Sequence, residues 1–289
     1  MILGSKGEIM AEIRFIGLDL DGTVLTHSKQ VTPLTRLAIE KALSAGIQVV
    51  YVTGRPLGGV PAELLSIPGI RYVISSNGAV TRDLKLGRNI RCSFVNRTAA
   101  EEITRIPMRE GMIYNVFAGG YGYADRRTHE IICEKFADTP YRDYVAWSKR
   151  PVDDIGAFFR ENTEGIENIW ILADSTQERD RMYGEVSEIS SLYDIRTVCT
   201  TSTDFEIGGP AADKGLAMTE LADMLQISKE EIMAIGDSGN DLGFMEAAGL
   251  PVAMANAEKK IRDLSCWVTD DNEHDGVAAA IQKFCFADQ

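Results

Sequence analysis

The stretch Arg14-Phe15-Ile16-Gly17-Leu18-Asp19-Leu20-Asp21-Gly22-Thr23 decides how the 289-residue chain is read. Phe15, Ile16 and Leu18 form a short apolar run of the kind that makes a buried strand. The run ends in two acids and a glycine turn. Strand side chains alternate, so if extended geometry holds through Asp21, both carboxylates face one side at the strand's carboxyl end. In open α/β sheets that edge is where ligands bind. Adjacent carboxylates repel, and burying them requires a divalent cation, a proton on one of them, or both. Asp-Gly alone is a common turn dipeptide, so the chemistry depends on what lies downstream.

Downstream, strands and helices alternate. Thr32-Pro33 reads as an N-cap followed by proline at the first helical position. Leu34, Leu37, Ala38, Ala42 and Leu43 follow at helical spacing, and Gly46 stops the helix. Ile47 to Val52 is a continuous apolar strand entering Thr53-Gly54-Arg55, and Tyr72 to Ile74 is another, entering Ser75-Ser76-Asn77-Gly78. Alternation resumes after Lys214. An amphipathic stretch covers Leu216 to Leu225, and the strand Ile232 to Ile235 delivers Gly236-Asp237. A short helix spans Asn240 to Ala248, and a strand spans Pro251 to Met254. A helix spans Ala257 to Leu264, Trp267-Val268 is a short strand, and Asp275 caps a last helix. Such alternation predicts an α/β fold, a Rossmann-like, doubly wound parallel sheet. Between its halves the pattern is less regular. Gly119, Gly120 and Gly122 mark a hairpin or tight turn, and Ile169 to Leu172 and Phe205 to Ile207 read as strands. The expected organisation is a split core, residues 11–83 and 210–289, with an inserted α+β domain at 84–209.

Asp19-Leu20-Asp21-Gly22-Thr23 after an apolar strand is far more specific than Asp-Gly. It resembles the first motif of the haloacid dehalogenase-like phosphatase superfamily. Three further motifs are similar and fall in the same order: Thr53 within Thr53-Gly54-Arg55, the lysine of Asp213-Lys214-Gly215, and Gly236-Asp237-Ser238-Gly239-Asn240-Asp241. Ser76-Asn77-Gly78-Ala79, Val252 to Ala257 and Asp275-Gly276-Val277 resemble the Cof-like branch, whose members carry a large α/β cap between the second and third motifs. The resemblance covers both core segments and is weak within the insert beyond size and position.

What the resemblance implies matches what phosphate ester hydrolysis needs: a nucleophile, a proton donor for the leaving oxygen, and positive charge around phosphorus. By resemblance Asp19 attacks phosphorus, and Asp21 protonates the leaving alcohol and then activates water. Lys214, at a helix start beside the anion site, neutralises phosphoryl oxygens and holds Asp19. Thr53, Gly54, Arg55, Asn77 and Asn240 are the expected substrate-binding residues. Mg²⁺ is the implied cofactor, held by Asp19, the backbone carbonyl of Asp21, Asp237, and Asp241 as ligand or support. The expected activity is hydrolysis of phosphate monoesters of small metabolites. A phosphomutase using the same aspartates and a non-catalytic metabolite sensor of the same fold are the alternatives. A dehalogenase fits less well, because a halide leaving group needs no proton from Asp21.

Composition is that of a globular protein, with 45% hydrophobic and 25% charged residues. Forty-three acids against 30 bases give a net charge of −13, which disfavours nucleic acid and anionic membranes as partners. No apolar run approaches the ~20 residues of a membrane span, and Met1 to Glu12 lacks the apolar core of a secretory signal. Met10 is an alternative start. Cys92, Cys133, Cys199, Cys266 and Cys285 are scattered and form no Cys-x-x-Cys pair, the pattern of reduced packing residues in a cytoplasmic protein. Gly236-Asp237-Ser238-Gly239 superficially matches a serine protease motif. None of His27, His129 and His274 sits in a matching context. Asp270 to Asp275 lacks the spacing of a calcium loop, and the chain has no phosphate loop or dinucleotide fingerprint. Trp147 and Trp170 are expected to pack the core of the insert.

Overall fold

The structure is a computed structural model that describes residues 11–110, 112–199 and 202–287, so Met1 and Met10 lie outside the described residues. Its strands, in chain order, are β1 (Phe15–Leu18), β2 (Gln48–Val52), β3 (Tyr72–Ser75), β4 (Val80–Asp83), β5 (Arg88–Cys92), β6 (Ile113–Ala118) and β7 (Tyr121–Asp125). They continue as β8 (Lys149–Val152), β9 (Ile166–Leu172), β10 (Arg196–Cys199), β11 (Asp204–Gly208), β12 (Ile232–Gly236), β13 (Leu250–Ala253) and β14 (Trp267–Val268).

Eight of them form one sheet in the order β14-β13-β12-β1-β2-β3-β4-β5. From β14 to β3 every neighbour is parallel. All of β1 and β12, and β2 from Val49 onward, are buried, as expected for parallel strands covered on both faces. The chain runs outward from β1 through β2 and β3, then returns to the other side of β1 with β12. The strand order therefore reverses beside β1, and a crevice opens there at the carboxyl ends of the strands. The sheet is mixed: β4 pairs antiparallel with β3, and β5 antiparallel with β4. This moves the first crossing. Arg88–Cys92, assigned above to the insert, belongs to the first sheet, and the chain leaves it at Ser93–Val95 rather than at Leu84. It returns at Gly209, where a Cβ would lie 2.5 Å from the Ser93 carbonyl oxygen.

The intervening chain forms a second sheet, β10-β11-β9-β6-β7-β8, antiparallel except for the β7–β8 pair. Alternation divides it into two faces. Tyr114, Val116, Ile169, Ile171, Phe205 and Ile207 form one apolar core with the helices Arg97–Glu110 and Thr176–Ser190. Asn115, Phe117, Asn168, Trp170, Asp204 and Glu206 belong to the other face. The expected glycine turn joins β6 to β7, with Gly119 and Gly120 both at positive φ.

Helix Pro33–Ser44 starts as expected, its Thr32 hydroxyl accepting from the Thr35 amide at 3.1 Å. Its buried residues, however, are Thr35, Ile39 and Ala42, while Leu34 and Leu37 are exposed. Asp275 precedes the last helix, Gly276–Cys285, without capping it through its side chain. Its carboxylate accepts instead from Thr32 and joins the two helices. Trp147 is 53% exposed rather than packed in a core. Cys92, Cys199 and Cys266 are exposed too, so packing does not account for them, and all five cysteines are free. No described helix is long and apolar enough to cross a membrane.

Candidate active site

Each motif residue follows the carboxyl end of a parallel strand or opens a helix beside one. β1 ends at Leu18, one residue before Asp19, so extended geometry does not persist to Asp21. The Asp19 amide still donates to Ile235 on β12 at 3.0 Å, which continues the ladder far enough to place Asp19 at the crevice. Its carboxylate is buried and receives the Lys214 ammonium at 2.6 Å. Lys214 is the first residue of helix Lys214–Met224, behind an Asp213 side chain that caps it. It also donates to Asp241 at 2.7 Å. Burial works against the ammonium, but Asp19 and Asp241 outweigh it and hold the lysine above its ordinary value.

Asp237, after β12, accepts from the Thr23 hydroxyl at 3.1 Å. Asp241 accepts from the Asp237 and Ser238 amides, both at 3.1 Å, and is fully buried. Ligand-capable oxygens of Asp19, Asp237 and Asp241 all lie within 4.8 Å of one another. Three carboxylates thus share one lysine. Burial and the neighbouring Asp241 push both Asp19 and Asp237 up, as happens to carboxylates short of positive charge. An all-oxygen set of this kind could hold a hard divalent cation.

The second acid has a different environment. Arg55 grips Asp21 through two nitrogens, each at 2.7 Å, and Lys29 adds a third contact at 2.9 Å. Burial alone would raise this carboxyl, but Arg55 and then Lys29 overcome it and hold Asp21 down at about 2. Arg55 is itself buried. It donates to the Gly59 carbonyl at 2.8 Å and stacks on Tyr144. Lys29 lies 4.1 Å from the centre of the Tyr141 ring. The side chains that set the charge of Asp21 are therefore covered by aromatic residues of the insert.

A cavity of about 380 Å³ opens between the two sheets. Asp19, Asp21, Thr53, Gly54, Arg55 and Asn240 contribute to its core-side wall. The Thr53 hydroxyl accepts from the Arg55 amide at 3.1 Å. Asn77, expected among the substrate contacts, is engaged otherwise: its amide donates to Glu206 at 2.6 Å and accepts from Asn240 at 3.3 Å. It ties the core to the insert. Ser238 donates to Asn240 at 2.8 Å, and the three histidines pair elsewhere, with Glu273, Cys133 and Asp271. A serine–histidine couple is therefore absent from the site.

The opposite wall was not foreseen. It includes Phe117, Trp170, Tyr144, Lys149, Asp204 and Glu206. Trp170, expected in a core, is half-buried on this wall and donates to Asp204 at 3.0 Å. Burial pushes Glu206 up to about 7, although Asn168 and Asn77 donate to it. The sequence held one signal for this wall, the alternation Asp204-Phe205-Glu206-Ile207, which places two acids on the face opposite the apolar pair.

Comparison with known proteins agrees with the geometry. A family model for haloacid dehalogenase-like hydrolases matches residues 16–281. Phosphatase YwpJ of Bacillus subtilis is 31% identical over 280 residues, covering 92% of this chain and 98% of its own length. The 5-amino-6-(5-phospho-D-ribitylamino)uracil phosphatase YwtE of the same organism is 28% identical over 288 residues, covering 94% and 98%. The solved structure of a haloacid dehalogenase-like hydrolase from B. subtilis superposes with a TM-score of 0.79 at 28% identity, covering 93% of this chain and 99% of that one. An acidic tip on β1 held by a lysine from beyond an insert, on a chain matched along nearly all its length, makes this protein a member of the haloacid dehalogenase-like hydrolase family.

Proposed function

We propose that the chain is a Mg²⁺-dependent phosphatase of small phosphorylated metabolites that works through an aspartyl phosphate on Asp19. The observation that carries this is the position of Asp19: buried at the strand tip, bonded to Lys214 through one oxygen, and open to the cavity. Lys214 holds that oxygen and leaves the other to attack phosphorus. As the Asp19–phosphorus bond forms, the bond to the leaving oxygen breaks, and that oxygen takes a proton. Water then attacks phosphorus, gives its proton to a base, and releases phosphate and the free Asp19 carboxylate. Thr53 lies on the same wall to bind a phosphoryl oxygen, while Arg55, engaged with Asp21 and the Gly59 carbonyl, acts there through Asp21. Asp19, Asp237 and Asp241 with the Asp21 carbonyl would hold the metal, which would supply positive charge that screens one anion from the other.

Asp21 is the acid and base of this scheme. In the arrangement described it carries no proton, because Arg55 and Lys29 hold it ionised. Ionised, it can take a proton from water in the second half-reaction only when that grip loosens, because the cations that hold it down also weaken it as a base. Donating a proton in the first half requires the Arg55 grip to loosen. Tyr141 and Tyr144, from the insert, cover that grip, which supports reading the segment between the crossings as a cap whose position governs Asp21.

Release of inorganic phosphate from a panel of phosphorylated metabolites, with Mg²⁺ and with excess chelator, tests the proposal. Phosphate release that stops with chelator and returns with Mg²⁺ is expected. Undiminished turnover in chelator overturns the metal assignment. Isomerised sugar phosphate in place of free phosphate replaces hydrolysis with a mutase.

A further inference from the structure

Lys149 is the side chain on the cap wall whose charge nothing explains. It is the first residue of β8, only 7% exposed, and it faces the cavity. Among the described residues its ammonium has neither a hydrogen bond nor an ion pair. It lies over two rings instead, 3.9 Å from the centre of Phe117 and 4.9 Å from that of Tyr144. Strand register explains how it gets there. Gly122 on β7 is opposite Phe117 on one side and Lys149 on the other. With no side chain at Gly122, the lysine stem crosses the strand and its head reaches the Phe117 ring. A Cβ at Gly122 would lie 2.9 Å from Lys149 Cδ.

A buried ammonium without a counter-ion is unfavourable, and two aromatic faces offset only part of that. Burial accordingly pushes Lys149 down to about 7, with Glu206 opposing the shift. Glu206 makes no ion pair with it; Asn77 and Asn168 both donate to Glu206 Oε2. Arg55, on the core-side wall, and Lys29 beside it are both committed to Asp21. Lys149 is therefore the cation that the cap holds in reserve, at the far side of an aromatic trough from the nucleophile.

Resting on the phosphatase reading, we propose that Lys149 recognises a second anionic group on the leaving alcohol, so that the preferred substrates are phosphate monoesters with a carboxylate or second phosphate at the end remote from the scissile bond. Phe117 and Tyr144 present ring faces to the ammonium and no hydrogen bond, so an anionic oxygen entering the trough meets an unshared donor. Asp204, on the same wall beside Trp170, disfavours an anion there and leaves Lys149 as the favourable contact for the remote group.

Matched aryl esters test this without knowledge of the natural substrate. Phenyl phosphate, 4-carboxyphenyl phosphate and 1,4-phenylene bisphosphate share a ring that suits the trough and differ only in the remote group. For the wild-type protein, kcat/KM is expected to favour at least one of the two anionic esters over phenyl phosphate by roughly tenfold, the size of one charge-assisted hydrogen bond. Which of the two is favoured distinguishes carboxylate from phosphate. Lys149→Met should collapse that ratio to near one, chiefly through KM, and Lys149→Arg should retain part of it. An unchanged ratio in Lys149→Met, or no preference in the wild type while phenyl phosphate is hydrolysed, overturns the assignment of Lys149 alone. Hydrolysis of none of the three esters overturns the phosphatase reading itself.

Discussion

At the scale of single residues, charge is shared unequally between the two acids of the first motif. Asp19 and its carboxylate neighbours are short of cations, whereas Asp21 has two. Asp19→Asn keeps the shape and the Lys214 contact but removes the attacking anion. Turnover should fall by ~10³-fold or more while the fold stays intact, as initial rates and circular dichroism would record. Glu206 allows a prediction about pH. Its folded value, raised to about 7 by burial, lies above its ordinary unfolded value near 4.3. The folded state thus binds the proton more tightly, so Glu206 contributes stability that is present below the unfolded value and lost as pH rises through 7. Glu206→Gln should remove this loss. Its unfolding midpoint should gain on that of the wild type as pH is raised from 4.5 to 7.5. A constant offset across that range would refute the sign.

At the scale of elements, the core strands were legible because parallel strands covered on both faces must be continuous apolar runs. Each such run here ends in a polar motif: Leu18 before Asp19, Val52 before Thr53, Gly236 before Asp237. The cap was less legible because one face of its sheet lines a polar cavity. Asn115 and Asn168 place polar residues within β6 and β9, so periodicity gives no strand at β6 and shows β9 only from Ile169, whereas the alternation around Glu206 leaves β11 legible. Helix Arg97–Glu110 hides itself by placing Pro107 in its last turn. Leu34 and Leu37 misled in the opposite sense, since apolar spacing marked them as a core face and they are exposed. β7 depends on a side chain it lacks. In Gly122→Ala the added methyl would overlap the Asn115 amide oxygen and press on Lys149. A loss of about 1–3 kcal/mol is expected from such overpacking, measured by urea unfolding, together with a displaced Lys149 and a weaker preference for anionic esters.

At the scale of the whole molecule, hydrogen bonds that cross between core and insert close to the cavity include Gly58 to Gly120 at 2.8 Å, Ser76 to Glu167 at 2.6 Å, and Asn77 to Glu206 at 2.6 Å. In the proposed reading the core motifs surround the phosphoryl site, and the cap supplies what surrounds the leaving group. Exchanging the segment between the crossings for that of another family member should therefore reorder the preferred substrates while leaving chelator sensitivity unchanged. An unaltered ranking would place specificity in the core.

The split core also sets an order of assembly. Phe15 pairs with Ile232, and the entire second sheet lies between them in the chain. The cap's strands and helices are contiguous and close on one another, so their loops are short. β1 can find β2 early, but it must wait for β12 until the polypeptide has passed Gly236. On the ribosome, one edge of the strand that leads into Asp19 stays unpaired while the cap emerges and folds. In refolding followed by pulse-labelled hydrogen exchange, the amides of β6 and β9 should gain protection before those that join β1 to β12. The earlier-translated half of the catalytic crevice is thus completed last, by a strand that arrives only after the lid that will cover it.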